Sequence, residues 1–370
     1  MTPADRLADI EMSLIRQINA LATPLSVNLG IGEPNVVPDQ TLKEMARSAA
    51  TMPWQYSANA GTLALRKRLC HETSYDAAGE VCVTAGTQEG LFAVFTAYVN
   101  PGDEVLIPDP GFLSYAALAR ICGATVVRYE LEPPRWQIDV AALEKKITRK
   151  TKLIIVNSPS NPLGSVASRE TLEQIAGLGP LVVSDEVYRE IWYDEPPATM
   201  LELGDNVLVL GGLSKSHAMT GLRMGWIHAR EPVMKPVVTA HQYIATCASV
   251  FSQALAEMIL GAHDWNQQWL AGVRAQFRAQ REAALHAIEH ELEITLEPPA
   301  GAFYAFTPVP ACESVSFAKT LASDAAVLVI PGVAFGPHGQ GFVRISFAAS
   351  TSQITSGIER MGRWLRAQGR

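Results

Sequence analysis

The sequence has little that would commit it to a membrane, a metal or a disulfide framework. Its five cysteines, Cys70, Cys82, Cys122, Cys247 and Cys312, are odd in number and show neither CxxC nor Cys/His spacing. Buried free thiols are the simplest reading. No apolar run approaches the ~20 residues of a bilayer-crossing helix. The opening MTPADRLADIEMSLIRQ is acidic where a signal peptide is basic and then apolar, so a cytoplasmic location is expected. Lysine and arginine number 30 against 37 acids, a net charge of −7, and the cations are scattered instead of forming a stripe. No nucleic-acid or membrane partner is expected. The histidines show no metal-ligand spacing, and GxxxxGK[ST], HExxH and GxSxG are missing.

What is present is a long, apolar chain. With 370 residues, 48% of them hydrophobic, it can bury a large core and hold more than one structural unit. Short β-branched runs at 81–84, 104–107, 153–156, 181–184 and 207–210 alternate with segments of helical period such as 91–98, 114–120 and 168–178. Strands that read as continuous apolar runs are covered on both faces, as in a parallel sheet. The expected fold class is α/β: a large unit over 31–268, with a mostly parallel sheet sandwiched by helices. Beyond it the pattern changes to one long amphipathic helix at 269–292, strands at 303–306, 327–330 and 342–347, and a last helix at 354–366. These predict a smaller α+β unit built from 1–30 and 269–370, with a first helix at 5–21 lying in it and the long helix as the pivot.

In open parallel sheets, ligands gather at the carboxyl ends of the strands, and four of the five ends carry chemistry. After 81–84 comes Gly86-Thr87-Gln88 at a helix start, whose free amides suit a phosphate or simply make a turn. After 153–156 comes NSPSNPLG, a rigid loop that fixes the Asn161 amide at the sheet edge. After 181–184 comes Asp185, with Tyr188 three residues on. An acid there is either a helix N-cap or the partner of a buried cation. After 207–210 comes GGLSKSHAMTGLRMGW, which holds Lys215 between Ser214 and Ser216 and follows it with Arg223. A lysine whose charge is suppressed is an amine nucleophile, and an arginine among hydroxyls suits an anion.

Taken in order, Tyr56-x-x-x-x-Gly61-x-x-x-Leu65-Arg66, Gly86-Thr87-Gln88, NSPSNPLG, Asp185-x-x-Tyr188, LSKSHAMTGLRMGW and FVRISFA resemble the class I/II aminotransferases, the fold-type I enzymes that depend on pyridoxal 5′-phosphate. The resemblance runs from NLGIGEP at 28–34 to Arg344. It implies an aminotransferase that moves an amino group between an L-amino acid and a 2-oxo acid in a ping-pong cycle. Lys215 would hold the cofactor as a Schiff base and then shuttle a proton. Asp185 would pair with the pyridine nitrogen, and Asn161 and Tyr188 would hydrogen-bond the ring oxygen. Phe112 would stack on the ring, while Arg223, Ser214, Gly86 and the amides of Thr87 and Gln88 would hold the phosphate. Arg344 would grip the substrate α-carboxylate, helped by Gly32 and with Asn161 beside it. Tyr56 would reach the phosphate of a neighbouring subunit, implying a homodimer with shared active sites.

Gly212 departs from the resemblance, because many relatives carry a hydroxyl there. The substrate side chain is not legible, although Ile31, Tyr56 and the segment 243–249 suggest an aromatic or neutral donor. Two other readings stay open. The same cofactor on the same fold also serves C–S lyases, decarboxylases and related synthases, and the motifs do not separate these. A regulator that keeps the fold would carry a basic DNA-reading segment.

Overall fold

The computed structural model describes residues 4–8, 10–310 and 313–369. Cys312, and residues 1–3, 9 and 370 of the span assigned to the smaller unit, lie outside them. In chain order the described strands are β1 (Val27–Asn28), β2 (Val81–Thr84), β3 (Glu104–Asp109), β4 (Thr125–Glu130), β5 (Thr151–Asn157) and β6 (Leu181–Asp185). They continue with β7 (Val207–Gly212), β8 (Gly225–His228), β9 (Tyr304–Pro308), β10 (Val327–Leu328), β11 (Ile330–Pro331) and β12 (Phe342–Ser346).

Seven strands form the central sheet in the order β2-β8-β7-β6-β5-β3-β4. All neighbours are parallel except β8, which runs antiparallel to β2 and β7. Ile154, Ile155, Val182, Val183, Leu208 and Leu210 are fully buried, so neither face of the middle strands meets water. That is the physical reason for their unbroken apolar runs. The helices Thr87–Tyr98 and Glu231–Ala245 pack on one another and on the sheet's antiparallel end, giving the mixed α/β layering expected. Asn157, Asp185 and Leu210 stand side by side across β5, β6 and β7. The loops that leave these strands therefore open into one region.

A second, antiparallel sheet, β11-β12-β9, carries Arg344 on its middle strand, where it pairs with Phe306 and Ile330. The amino-terminal β1 pairs in parallel with β10, which ties residues 27–28 to the carboxy-terminal part of the chain.

Three expectations need correction. The helix at 5–21 is a 3-10 turn, Asp5–Leu7, and a separate α-helix, Leu14–Asn19, which starts where the Ser13 hydroxyl accepts the Arg16 N–H at 3.3 Å. The strand at 327–330 divides at Val329, because its first half pairs with β1 and its second with β12. The long helix begins earlier, at His263, in a polar stretch whose Trp265 and Trp269 pack on His217. Removing a core methyl cluster should reveal how much the central sheet contributes. Leu208→Ala is expected to lower unfolding stability by ~2–5 kcal/mol, read from urea midpoints of circular dichroism.

Candidate active site

Lys215 follows β7 in a turn that brings its amine back over the sheet ends. Its Nζ donates to the Gly32 carbonyl at 2.6 Å and lies 5.6 Å from the centre of the Tyr188 ring. Burial disfavours its charge, and the nearby Arg344 cation adds to this. Despite the opposing Glu33 and Asp185 carboxylates, the amine falls from its ordinary value to about 8. Near neutrality a useful fraction of a pKa-8 amine is unprotonated and nucleophilic.

Asp185 ends β6 and is only 4% exposed. Its Oδ2 accepts the Tyr115 hydroxyl at 2.8 Å and its Oδ1 the Val187 N–H at 3.3 Å. Asn157 donates its side-chain amide to the Asp185 carbonyl at 2.8 Å, which fixes the backbone that aims this carboxylate. Burial pushes the Asp185 carboxyl upward, while Tyr115, Val187 and the Lys215 charge favour the anion. A cation placed against it would complete the pair.

Arg344 is 2% exposed, and no carboxylate among the described residues forms an ion pair with it. Its Nη1 donates to Asn161 Oδ1 at 2.9 Å and its Nη2 to the Gly30 carbonyl at 2.6 Å, while Nε has no partner. The rings of Tyr304 and Phe335 lie 4.3 and 4.9 Å from the guanidinium carbon. An uncompensated buried guanidinium is costly unless an anion arrives to meet it.

At the other end of the cleft, Gly86 caps the helix Thr87–Tyr98 with φ +81°, a conformation that favours glycine. A Cβ at Gly86 would run into the Arg223 guanidinium, and one at Gly225 would come within 2.7 Å of the Thr87 nitrogen. These glycines keep open a cradle in which a cation faces a helix N-terminus, an arrangement suited to phosphate. Gly212 is closely packed as well, since a Cβ there would stand 2.9 Å from the Met224 carbonyl oxygen.

Gly32, Thr87, Gln88, Phe112, Asn161, Asp185, Tyr188, Ser214, Lys215, Arg223 and Arg344 all line one cleft of about 260 Å³. Phe112 packs edge-on against Tyr115. Tyr56 does not belong to this cleft: it is 84% exposed and lines a separate groove with Trp54, Cys247 and Phe251. Ile31 is also outside it and exposed. Residues that sequence reasoning did not single out are Tyr115, Asn157, Tyr304, Ile15 and Thr220, all of which line the cleft. The Tyr304 hydroxyl pairs with that of Tyr188 at 2.8 Å, and Thr220 donates to Glu33. Thr220 and Asn157 lie in the GGLSKSHAMTGLRMGW and NSPSNPLG stretches already singled out, whereas Tyr115 and Ile15 sit in helices and Tyr304 in a strand, where no local pattern marks them.

A larger cavity of about 630 Å³ is lined by Glu186, His217 and His228. Its buried titratable groups have partners or are neutral. Glu186 accepts from Ser184, Thr199 and the Met200 N–H, and burial lowers both histidines to about 4, leaving them neutral. Among the described residues no group of three His, Cys, Asp or Glu side chains is placed to hold a metal ion, and no helix is long and apolar enough to cross a membrane.

The family model for aminotransferase class I and II matches residues 26–361. The aspartate aminotransferase of Pyrococcus abyssi is 32% identical, with 99% of each chain covered. The aromatic-amino-acid aminotransferase 2 of Thermococcus litoralis is 31% identical, again over 99% of each chain. Among solved structures, aspartate aminotransferase from Thermus thermophilus with maleate superposes with a TM-score of 0.93 at 29% identity, covering 98% of this chain and 99% of that one.

The Lys215 environment carries a prediction. In cofactor-free protein, the rate at which this amine condenses with pyridoxal should rise with pH, about tenfold per unit below pH 8, and level off above it. Because the Arg344 cation lowers the amine's pKa, Arg344→Leu should move the midpoint upward, as measured by stopped-flow absorbance.

Proposed function

The chain belongs to the class I and II aminotransferases, and on that premise we propose that it runs a ping-pong exchange between an L-amino acid and a 2-oxo acid in which Lys215 carries the cofactor covalently. Enzymes of this family depend on pyridoxal 5′-phosphate. The observation that carries the reading is the meeting, in one cleft, of a half-buried amine lowered to about 8, a buried acid at a strand end and a buried guanidinium that no carboxylate among the described residues pairs with.

The residues fit the cofactor. The Arg223 cradle, kept open by Gly86 and Gly225, suits the phosphate, with Ser214 and the amides of Thr87 and Gln88 beside it. Asp185 suits a protonated ring nitrogen, Phe112 a ring face, and Tyr188 and Asn161 the ring oxygen. When bound, pyridoxal 5′-phosphate supplies an aldehyde that takes up the amino group and a ring that draws electrons from the substrate Cα.

The protein's own groups do the rest. Arg344 binds the α-carboxylate through its planar fork, with Nε as the free donor and Gly32 close by. Its cation–π contacts hold the fork in place. Lys215 Nζ, facing the cleft, would act as the base that takes the substrate Cα proton and as the acid that gives it back. Asp185 would stand as the counter-ion of a protonated ring nitrogen, and Tyr115 keeps that carboxylate oriented. Closure of the β11-β12-β9 layer with the amino-terminal strand would exclude water during the proton transfer.

Tyr56, far from its own cleft, is assigned to the neighbouring subunit's phosphate in a homodimer. Ile15, an apolar side chain, forms part of this chain's share of the cleft wall. A neutral or aromatic donor is therefore our reading of the substrate class. Relatives of nearly equal identity bear aspartate and aromatic names, so the choice rests on this wall.

A half-reaction screen tests the proposal. Neutral and aromatic L-amino acids should convert the bound cofactor to its amine form, and a 2-oxo acid should restore it. Release of pyruvate and ammonia without any acceptor would contradict transamination. Arg344→Ala should raise KM for carboxylate donors on the order of 100-fold, the ~2–3 kcal/mol of a charged hydrogen-bonded contact, with little effect on simple amines. Asp185→Ala should retain cofactor and lose at least about 100-fold in kcat.

A further inference from the structure

Behind the cleft's phosphate end stands an acid–histidine pair, neither member of which is part of the cleft lining. Glu89 stands in the first turn of the helix Thr87–Tyr98. Its Oε2 accepts the Ala85 N–H at 3.1 Å, so the third helical residue reaches back past the cap in the manner of a capping box. Its Oε1 lies 3.0 Å from Nδ1 of His241, on the helix Glu231–Ala245. His241 is fully buried, and its Nε2 has no partner among the described residues. An imidazole that donates from Nδ1 and leaves Nε2 as a bare lone pair meets both facts, because an unpaired buried N–H would cost more than an unpaired acceptor. From the opposite side, Arg223 Nη2 donates to the Ala85 carbonyl at 3.4 Å, and the Thr84 hydroxyl donates to the Gly86 carbonyl at 3.1 Å.

The two peptide groups that flank the Ala85 Cα are thus each held, the first through the Ala85 N–H by Glu89 and the second through the Ala85 C=O by Arg223. The amides of Thr87 and Gln88 follow directly from these. A free carboxylate this close to a phosphate site would swing toward solvent or repel the anion. Held by His241 and Ala85, it is turned away and stiffens the turn instead.

We infer that the Glu89–His241 pair is the positioning element of the phosphate-binding turn, setting the aim of the Thr87 and Gln88 amides without touching the cofactor. This rests on the phosphate placement proposed above. Its signature is selective. Binding of pyridoxal 5′-phosphate should depend on the pair, and binding of pyridoxal, which lacks the phosphate, should not.

The test uses the full-length enzyme, stripped of cofactor and titrated with each of the two aldehydes. Glu89→Gln and His241→Leu are expected to weaken pyridoxal 5′-phosphate about tenfold while pyridoxal changes less than twofold. His241→Asn, which keeps a donor near Nδ1, should restore wild-type binding within about threefold. Loss of both ligands in equal measure, or of neither, would overturn the inference. Arg223→Ala serves as the control for the phosphate placement itself. If it leaves the preference for the phosphorylated aldehyde intact, the placement fails. If it abolishes that preference while Glu89→Gln and His241→Leu do not, only the positioning role fails.

Discussion

A buried guanidinium and a half-buried amine, each donating to neutral oxygens, set the character of this molecule. Arg344 lies under the rings of Tyr304 and Phe335 and finds only neutral oxygens, those of Gly30 and Asn161. Lys215 donates to another neutral oxygen, the Gly32 carbonyl. Desolvating such groups costs several kcal/mol each, and the cost is tolerable only because the surrounding packing over-determines their positions. The cleft is electrostatically incomplete, and on the proposed reading anions would complete it: a carboxylate at Arg344 and a phosphate at Arg223. Stabilisation that is withheld until the ligand is present is available for catalysis.

The sheets place these charges. The register of β5, β6 and β7 sets Asn157, Asp185 and the Lys215 turn along one edge. Arg344 comes from a different sheet, and Gly30 and Gly32 from a stretch joined to that part of the chain through β1. On the proposed reading, one layer would grip the substrate carboxylate while the other moves the proton. A clamp at the long helix connects the two. His217, two residues beyond Lys215, bonds Asn266 at 2.8 Å and stacks on Trp269, whose indole N–H donates to the Ser216 carbonyl at 3.0 Å.

Much of this was written in local patterns. The fully buried strands announced themselves because burial on both faces demands continuous apolar runs, and the loaded loops followed them directly. β8 was invisible because its four residues alternate glycine, tryptophan, isoleucine and histidine, with no run to detect. β4, an edge strand, mixes charge with its valines. The site residues that escaped notice act through space. Tyr304 reads as one more aromatic in an apolar strand, and only the fold brings its hydroxyl to Tyr188 and its ring to Arg344. Ile15 reads as part of an amphipathic helix, and its place on the cleft wall depends on where that helix docks. The Glu89–His241 contact joins residues 152 apart in sequence, a separation at which no local pattern operates.

The central claim is that the amine of Lys215, and no other, carries the coenzyme. Borohydride reduction of the purified holoenzyme, followed by proteolysis and mass mapping, tests it most directly. The account predicts a single pyridoxyl adduct, on the peptide containing Lys215, and its disappearance in Lys215→Ala. An adduct on a different lysine, or an unmodified Lys215 peptide from a fully active preparation, would contradict it.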